Sequence, residues 1–566
     1  MHIFQMNYRY VCLFFWILSI CCSRAGLSQS PDIPLNRDYY YLIDRYEILT
    51  GSASPGIHTS VKPYKRNQVA EFFAGLDSLR TNNNRRDKFN IDYVLTDNYA
   101  YTEYPAAKSG RPVLKYLYTY KSDFFSVDIP DFQMHLNPVM YFSGGIDLDR
   151  NVTPYINTRG LEISGLLAGK IAYYTFLSTT QAAFPGYVRS WIVRNLAVPN
   201  EGFWKVYNKD GVDFFTASGY FSFNIVKPVL VQAGHGKTFI GNGIRSMALS
   251  DFSNNYLYLK MDVKIWKLDY FNLFAQNYAD AYASANTGSL GGTYPKKFLA
   301  HHHLSFNAGR NLNLGIFETV IVGDSTHAFE IGYLNPLIFY RALEHQGGSR
   351  NNVFVGADVK WNFLNHFSLY SQLLLDEFKL DEVTSGEGWW ANKYGAQAGL
   401  KYMNVAGIEN LDAQLEFNIS KPYTYSHKDI YTNFSNYRMP LAHPYGANFR
   451  EWIFSARYQP MPRLMLNLTG INSAYGEDDP GSNWGKNIMK SYLTRERDYG
   501  NFTGQGYKTW FKYLNMAVTY QLRHNVFFDL EFTLHDISSE YDPLDSRTTY
   551  SGMNFRWNIP KKIFDY

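Results

Sequence analysis

Cysteine is scarce in this 566-residue sequence, and its positions exclude several kinds of chemistry. The three cysteines, Cys12, Cys21 and Cys22, all lie within the first 22 residues. The remaining chain therefore forms no disulfide and no thiolate metal site, and it offers no cysteine nucleophile.

An excess of charge of one sign is also lacking. The formal net charge is +4, and charged residues make up 18% of the chain, so no basic field indicates a nucleic-acid partner. Gly236-Lys237-Thr238 resembles the end of a phosphate-binding loop, but Val231 stands where that loop requires its first glycine. The sequence therefore disfavours nucleic acid and nucleotides, and it predicts no cofactor.

Only one long apolar run is present, and it lies at the start of the chain. The run from Val11 to Cys22 follows Arg9 and precedes small residues up to Ser28, an order typical of a secretory signal peptide. Its 12 residues are too few for a membrane-spanning helix. We predict a leader over residues 1–28 and an exported chain that begins near Gln29.

Aromatic residues, by contrast, are abundant, at 17% of the chain with 47 tyrosines. Apolar and polar residues alternate over many segments, such as Leu257 to Ile265, Leu411 to Ile419 and Val526 to Leu534. A transmembrane β-strand has this pattern because lipid covers one face and the lumen lies at the other. The composition and the alternation together predict an outer-membrane β-barrel.

Short and long connections alternate along the chain, as they do between the periplasmic turns and outer loops of bacterial barrels. We count about 18 strands from Phe132 to about Ile559, an even number with both ends on the periplasmic side. The predicted fold class is therefore an all-β transmembrane barrel of antiparallel strands over residues 132–566. The last strand is expected to end near Ile559, with Tyr566 close to it.

Residues 29–131 differ from the barrel. Apolar residues recur at helical spacing from Tyr39 to Leu49 and from Val69 to Leu79, which predicts amphipathic helices. These helices either plug the lumen or lie beneath it in the periplasm. The alternating stretch from Val113 to Val127 is an extra strand or part of the plug.

Candidates for catalysis and metal binding are weak. His301–His303 are consecutive, so on a strand they point to opposite faces and cannot all bind one ion. Asp376, Glu377, Asp381 and Glu382 are more typical of rim charges than of a glycoside-cleaving pair. We predict no catalytic residue, no metal site and no enzymatic activity.

The predicted outer loops carry aromatic residues beside asparagine, aspartate and lysine. Aromatic rings stack on the C–H faces of sugars, and polar neighbours bind the hydroxyl groups. Rings that form an interfacial belt or pack within the loops are the alternative. The candidate polysaccharide contacts are Trp389, Trp390, Tyr423, Tyr425, Tyr431, Tyr437, Trp484 and Tyr492.

Three motifs, in order, resemble the Wzi family of outer-membrane capsule assembly proteins, and most closely its Bacteroidetes-type branch, which includes the gliding motility protein RemB. They are GHGKTFIGNGIRSMALSD from Gly234, LNPLIFYRALEHQGGSRNNVFVGADVKW from Leu334 and FSLYSQLLLDEF from Phe367. Enterobacterial members have an aromatic-Gly-Pro-Gly where this chain has Ile240 to Gly243, which leaves the type of capsule open.

The resemblance implies an eighteen-stranded barrel, largely closed by its own segments, that holds secreted polysaccharide as a surface lectin. We expect the matching residues to shape a loop and close the lumen. They are Gly234, Gly236, Gly241, Gly243, Arg245, Ser246, Ser250, Asp251, Asn335, Pro336, Arg341 and Asn352.

The implied location is the outer membrane of a Gram-negative bacterium, and the implied partners are surface polysaccharide, outer-membrane lipid and the barrel-assembly machinery. Two other functions stay open, a porin-like channel for small polar solutes and a glycan-cleaving enzyme. A role in gliding or adhesion is a variant of surface attachment, and the oligomeric state is not predicted.

Overall fold

The computed structural model describes residues 29–566 with several internal gaps. The described ranges are 29–52, 56–77, 84–102, 104–150, 152–279, 294–323, 331–335 and 351–566. The predicted leader over residues 1–28 lies outside them, and so do Pro336 and Arg341 of the second motif.

In the described part of the chain, 18 antiparallel strands close into one barrel, which confirms the predicted fold class. In chain order they are β1 Phe132–Asp147, β2 Tyr155–Leu167, β3 Ile171–Ala183, β4 Gly211–Val226, β5 Val229–Gly236, β6 Tyr256–Ile265, β7 Leu268–Tyr278, β8 Lys296–Asn307, β9 Leu312–Val322, β10 Asn352–Phe363, β11 Phe367–Glu377, β12 Lys393–Tyr402, β13 Leu411–Ser420, β14 Phe449–Met461, β15 Leu464–Glu477, β16 Tyr507–Arg523, β17 Val526–Ser539 and β18 Ser546–Trp557.

The two faces of the strands differ as the alternation predicts. On β17 the side chain of Leu530 is 47% exposed on the outer wall, whereas Asp529 beside it is fully buried in the lumen. On β6, Leu257 and Leu259 face outward and Lys260 faces inward. An apolar outer wall around a polar lumen is the arrangement of a barrel that spans a bilayer.

Aromatic rings collect on the outer wall at the end of the barrel that carries the short turns. Four of them form a continuous stack there, Trp361, Phe363, Phe367 and Tyr402. Interfacial girdles of this kind lie at the level of the lipid headgroups. We name this end periplasmic and the long-loop end extracellular, following the usual arrangement of bacterial barrels.

The seam of the barrel contains an additional short strand. β18 pairs with the extracellular half of β1, from Tyr550 opposite Asp147 to Trp557 opposite Met140. The strand Phe125–Ile129 pairs with the periplasmic half of β1. It overlaps the end of the stretch from Val113 to Val127, which was predicted to be either an extra strand or part of the plug.

The N-terminal segment forms three α-helices, α1 Tyr40–Thr50, α2 Arg66–Asp77 and α3 Arg85–Asp97. They share one core with residues such as Ile43, Phe73 and Val94, because each helix presents one apolar face. Two further helices lie in extracellular loops, α4 Gly186–Asn195 and α5 Leu380–Ser385. Among the described residues, no helix is long and apolar enough to cross a membrane.

The helices both fill the lumen and cover its periplasmic mouth. In the lumen, Asp44 of α1 accepts a hydrogen bond from Lys401 of β12 at 2.6 Å, and Arg45 pairs with Asp412 of β13. At the mouth, Tyr93 of α3 donates to Asn525 in the turn between β16 and β17, at 2.7 Å. The structure therefore combines the two positions that the sequence left open.

The last residues of the chain leave the wall and enter the lumen. β18 ends at Trp557, so the predicted end near Ile559 is two residues too late. The C-terminal tail, residues 558–566, then rises inside the barrel from the periplasmic turns to the extracellular loops. The ring of Tyr566 packs against Trp191 and Phe252, and its carbonyl lies 3.2 Å from Nε2 of His535 on β17.

Candidate functional site

The first motif forms a loop, residues 237–255, that folds from the top of β5 into the lumen. We call it the inner loop. Its Phe239–Ile240 pairs with Val61–Lys62 of the N-terminal segment in a two-stranded sheet. A loop that returns from the extracellular end thus meets the N-terminal segment inside the barrel.

Polar contacts hold the inner loop to the opposite wall. The carboxylate of Glu416 on β13 accepts the backbone N–H groups of Ile244 at 2.6 Å and Arg245 at 3.0 Å. An added Cβ on Gly243 would lie 2.5 Å from the same carboxylate and 2.6 Å from the side chain of Gln397, so both side chains would have to shift. Glycine at this position allows the backbone to approach the wall closely.

Arg245 connects the inner loop with the tail. Its guanidinium donates to the side chain of Asp565 at 2.9 Å and to the backbone carbonyl of Asp565 at 2.6 Å. It also lies 3.4 Å from Glu451 of β14. All three residues are largely buried, so the pairing of opposite charges offsets their desolvation.

The other described matching residues lie on β5 and β10, in the inner loop and in an extracellular loop. Gly234 and Gly236 belong to β5, and Gly241 has a φ of 143°, which suits glycine. Ser246 donates to the carbonyl of Ile240, Ser250 donates to that of Ala442, Asp251 accepts from Asn36, Asn352 donates to Thr432, and the N–H of Asn335 donates to Gly332.

A cavity of about 700 Å³ remains in the lumen. The N-terminal segment around Arg37, the inner loop, the tail and the inner wall line it. Charged groups from all four parts face it, among them Lys237, Glu531 and Lys562.

Aromatic residues from three extracellular loops meet at the outer rim of the barrel. We call Trp389, Trp390, Tyr423 and Tyr492 the tryptophan cluster. The ring of Trp390 is at its centre, 4.8 Å from Tyr492 and 6.3 Å from both Tyr423 and Trp389, measured between ring centroids. The structure therefore brings together four of the candidate contacts, although Trp389 and Tyr492 are more than 100 residues apart in the sequence.

Cations lie over these rings. The guanidinium of Arg495 is 4.2 Å from the centroid of Trp390, and the ammonium of Lys393 is 4.8 Å from that of Tyr492. Lys379 lies 5.7 Å from Trp389. Cations at these distances are attracted to the ring faces; Lys393 is fully buried, whereas Lys379 and Arg495 are accessible beside the tryptophans.

The rings of the set differ in exposure. Trp389, Trp390, Tyr437 and Trp484 are half-buried. Tyr423, Tyr425 and Tyr431 are each only 1% exposed and Tyr492 is 8% exposed, so the exposed positions expected for these four rings are corrected. Loop packing covers the four rings, and a sugar cannot stack on them unless the loops move.

Tyr425, Tyr431 and Tyr437 lie outside the tryptophan cluster. Tyr425 packs on Phe354 and Phe434 in the lumen core, and its hydroxyl donates to the carbonyl of Met247 of the inner loop. Tyr431 donates to the carbonyl of Lys296. The ring of Tyr437 lies 4.8 Å from Tyr278 and 5.5 Å from Tyr294, in a second group of rings.

Trp484 is close to the tryptophan cluster in the chain but contacts other groups. Its backbone N–H donates to Asp478 at 2.8 Å, and its ring lies 5.4 Å from the guanidinium of Arg497.

Three of the four carboxylates considered for catalysis are paired with lysines. Lys393 lies 2.9 Å from Asp376 and 3.7 Å from Glu377, and Lys379 lies 3.1 Å from Glu382. Groups paired in this way maintain loop structure. Among the described residues, no group of three histidine, aspartate, glutamate or cysteine side chains is arranged to hold a metal ion.

His427 is a buried neighbour of the tryptophan cluster that the sequence did not single out. Its ring lies 5.9 Å from Tyr492, and its Nδ1 is 2.7 Å from the hydroxyl of Thr432. Burial, reinforced by the nearby charge of Lys393, lowers its pKa to about 3. Sequence reasoning also missed Arg495, because it lies more than 100 residues along the chain from the two tryptophans.

The barrel and its N-terminal segment are similar to solved structures of outer-membrane proteins. One is Wzi of Escherichia coli, an outer-membrane protein involved in group 1 capsule assembly and a carbohydrate-binding β-barrel, with a TM-score of 0.57, 10% identity, and coverage of 94% of this chain and 100% of Wzi. Another is OprD of Pseudomonas aeruginosa, with a TM-score of 0.41, 11% identity, and coverage of 75% and 93%. No protein-family model and no curated protein sequence matches the chain. At 10% identity the likeness to Wzi shows the fold alone.

Proposed function

We propose that this protein is an outer-membrane barrel that attaches surface polysaccharide through its extracellular loops and catalyses no reaction. The observation that carries the proposal is the tryptophan cluster, which places the half-buried rings of Trp389 and Trp390 at the extracellular rim with Lys379 and Arg495 beside them. Such a surface offers stacking faces and hydrogen-bond donors to a sugar chain. The full-length likeness in fold to a carbohydrate-binding barrel supports it.

The finer assignments belong to the same proposal. They are the Bacteroidetes-type branch of the Wzi-like proteins, export through a cleaved leader, and a role in capsule assembly, gliding or adhesion. The ordered motifs of the inner loop and of β10 and β11 support the first of these, since they lie where the lumen is closed.

Binding of the purified barrel to polysaccharide extracted from its own cell surface tests the proposal. Trp389 is the ring to change, because it is half-buried and lies at the edge of the cluster, whereas Trp390 is packed on several sides. The loss of one stacking ring corresponds to about a 2- to 10-fold weaker affinity. We expect that loss for Trp389→Ala in affinity electrophoresis.

Trp361→Ala is the matched control, because this tryptophan lies in the periplasmic girdle and is 43% exposed on the outer wall. Its affinity for polysaccharide should equal that of the unchanged protein. Equal loss in both variants, or no saturable binding by the unchanged protein, would overturn the proposal.

A glycan-cleaving enzyme is distinguished by its product. If reducing ends were released from the polysaccharide during incubation with the barrel, the function would be hydrolysis rather than attachment. We expect none, because lysines hold the carboxylates nearest the tryptophan cluster.

A porin-like channel is the second candidate function, and the cavity of about 700 Å³ in the lumen favours it. Transport needs this space to be continuous from one mouth to the other. Measurements of solute flux and conductance decide between the two functions.

A further inference from the structure

One part of the N-terminal segment lies outside the barrel. Residues 108–121, which we call the periplasmic hairpin, form a small antiparallel ribbon. Val113 and Leu117 exchange backbone hydrogen bonds of 2.8 and 2.9 Å, and Lys108 bridges Tyr120. The turn residues Leu114 and Lys115 have φ angles of 50° and 65°, a left-handed conformation that is unfavourable for bulky residues.

A ring contact places the hairpin at the lipid-facing wall. The ring of Tyr118 stacks on that of Trp557, with centroids 6.4 Å apart and planes inclined by 18°. Arg556, the preceding residue, points into the lumen, where it pairs with Asp529 at 2.6 Å. Since neighbouring side chains on a strand point to opposite faces, Trp557 lies on the outer wall.

Trp557 also fixes the height of the hairpin relative to the membrane. It is the last residue of β18, at the periplasmic end of the strand, where the aromatic girdle of the barrel lies. Rings in such girdles lie among the lipid headgroups. The base of the hairpin stays with the plug, where Tyr120 stacks on Tyr99 at 4.0 Å, and Tyr118 places the outer part of the hairpin beside the headgroup region of the inner leaflet.

The tip of the hairpin exposes large apolar side chains. Leu114 is 78% exposed, Tyr116 is 74% exposed and Val113 is 47% exposed. A leucine in a left-handed turn has an unfavourable backbone and gains nothing from contact with water. Both features are accounted for if the tip enters an apolar environment outside the chain.

The charge of the hairpin identifies that environment. Residues 104–122 contain four cations, Lys108, Arg111, Lys115 and Lys121, and no acidic residue. All four are exposed, and none forms an ion pair with another described residue. Exposed cations around apolar tip residues bind the surface of a bilayer that contains anionic lipid.

We propose that the periplasmic hairpin binds the inner leaflet of the membrane that the barrel spans. Leu114 and Tyr116 enter the headgroup region, and the four cations bind the phosphates of anionic phospholipids. The hairpin connects the helices of the plug to β1, so this contact ties the plug to the membrane at the seam of the barrel. The proposal requires a membrane-spanning barrel, but it is independent of polysaccharide binding.

Fluorescence quenching in vesicles tests the proposal on the full chain. Residues 29–566 contain no cysteine, so Leu114→Cys, with Cys12, Cys21 and Cys22 changed to alanine, provides one site for a fluorescent label. The protein is reconstituted in phosphatidylcholine alone or in an equal mixture with phosphatidylglycerol. In the mixture, we expect spin-labelled lipid to remove most of the fluorescence and aqueous iodide to remove little.

Two further label positions calibrate the result. Leu530→Cys on the outer wall must be quenched by spin-labelled lipid, because that shows an inserted barrel. Lys88→Cys on α3, an exposed position beneath the lumen, must be quenched by iodide. A quenched label at 530 with an iodide-accessible label at 114 overturns the hairpin proposal alone and favours a soluble protein partner.

Charge variants test the role of the cations. In the labelled Leu114→Cys protein, Arg111→Gln with Lys115→Gln should reduce lipid quenching in mixed vesicles to its value in phosphatidylcholine. Lys205→Gln with Lys209→Gln removes the same charge from exposed positions of an extracellular loop and should leave the quenching unchanged. Quenching that does not depend on the anionic lipid, or that falls equally in both double variants, overturns the assignment to anionic headgroups.

Discussion

At the scale of residues, buried ion pairs tie the plug to the wall. Arg556 is the clearest example, because its guanidinium contacts Asp529 of β17 at 2.6 Å and Asp38 of the N-terminal segment at 2.7 Å. It also lies 4.4 Å from the ring centroid of Phe527. A buried charge costs free energy unless it is paired, so each pair specifies one docked position of the plug.

Replacing Arg556 tests this role. Arg556→Met leaves the fully buried carboxylate of Asp529 and the partly buried carboxylate of Asp38 without their partner and should lower the free energy of unfolding by about 3–5 kcal/mol. Arg189→Met breaks a pair with Asp210 that is roughly half exposed and should cost less than about 1 kcal/mol. Denaturant unfolding in detergent micelles measures both variants, and similar losses would contradict a special role for the buried pair.

The pKa of His427 predicts a pH dependence of the tryptophan cluster. Burial holds this pKa at about 3, below the ordinary value of 6.5. As the pH falls from 6.5 towards 3, the unfolded loop takes up a proton that the folded loop excludes, so the folded loop loses stability. We expect the tryptophan fluorescence of the barrel to change over this range.

His427→Gln should reduce the pH-dependent change in fluorescence, because the substituted side chain has no proton to gain. His235→Gln is the control, since His235 is exposed on β5. An unchanged titration in the His427 variant would assign the transition to other groups.

At the scale of elements, the tail connects several parts of the molecule inside the lumen. It crosses the cavity with contacts on every side: Lys561 pairs with Glu531 at 2.8 Å, and the carbonyl of Phe564 accepts from Tyr187 at 2.9 Å. Asp565 at its tip is held by Arg245. The tail thus joins the wall, an extracellular loop and the inner loop.

Removal of the tail should open the lumen. We expect deletion of residues 560–566 to produce discrete conductance steps in planar bilayers, because the deleted segment lines the cavity. Heat-modifiable migration in gels shows whether the shortened barrel has folded. The double variant Arg245→Gln, Tyr566→Ala releases the tip of the tail in a chain of full length and should give briefer channel openings. If both variants fold but neither conducts, the proposed role of the tail is contradicted.

At the scale of the whole molecule, the barrel is filled by its own chain. Barrels of 16–18 strands ordinarily leave an aqueous channel. Here the plug, the inner loop and the tail occupy that channel, apart from the cavity of about 700 Å³. The extracellular rim is the surface at which we propose contact with large ligands.

Solute flux tests this closure. Vesicles that contain the intact protein should swell in a pentose solution no faster than vesicles without protein. Lys360→Gln with Lys401→Gln removes the partners of Asp44 and Glu47 on α1 and should increase the rate by loosening the plug. Rapid swelling with the intact protein would favour the channel function.

The sequence alone determined the barrel, its strand number and the helices before it. These features depend on local periodicity, because a strand between lipid and a polar lumen must alternate and an amphipathic helix must repeat about every 3.6 residues. The alternation also gave the outward and inward faces, as β6 and β17 show.

Only the tertiary structure decided which loop residues are accessible and what fills the lumen. Tyr423 and Trp389 are both aromatic residues of predicted outer loops, and the sequence does not distinguish their exposure. Tyr423 is buried by a different loop, more than 60 residues away in the chain, where the carbonyl of Gly485 accepts its backbone N–H. The inner loop and the tail enter the barrel because distant partners, Glu416 and Arg245, compensate their polar groups there. Hydrogen bonds and ion pairs between residues far apart in the chain produce no periodic pattern in the sequence, so local patterns could not predict them.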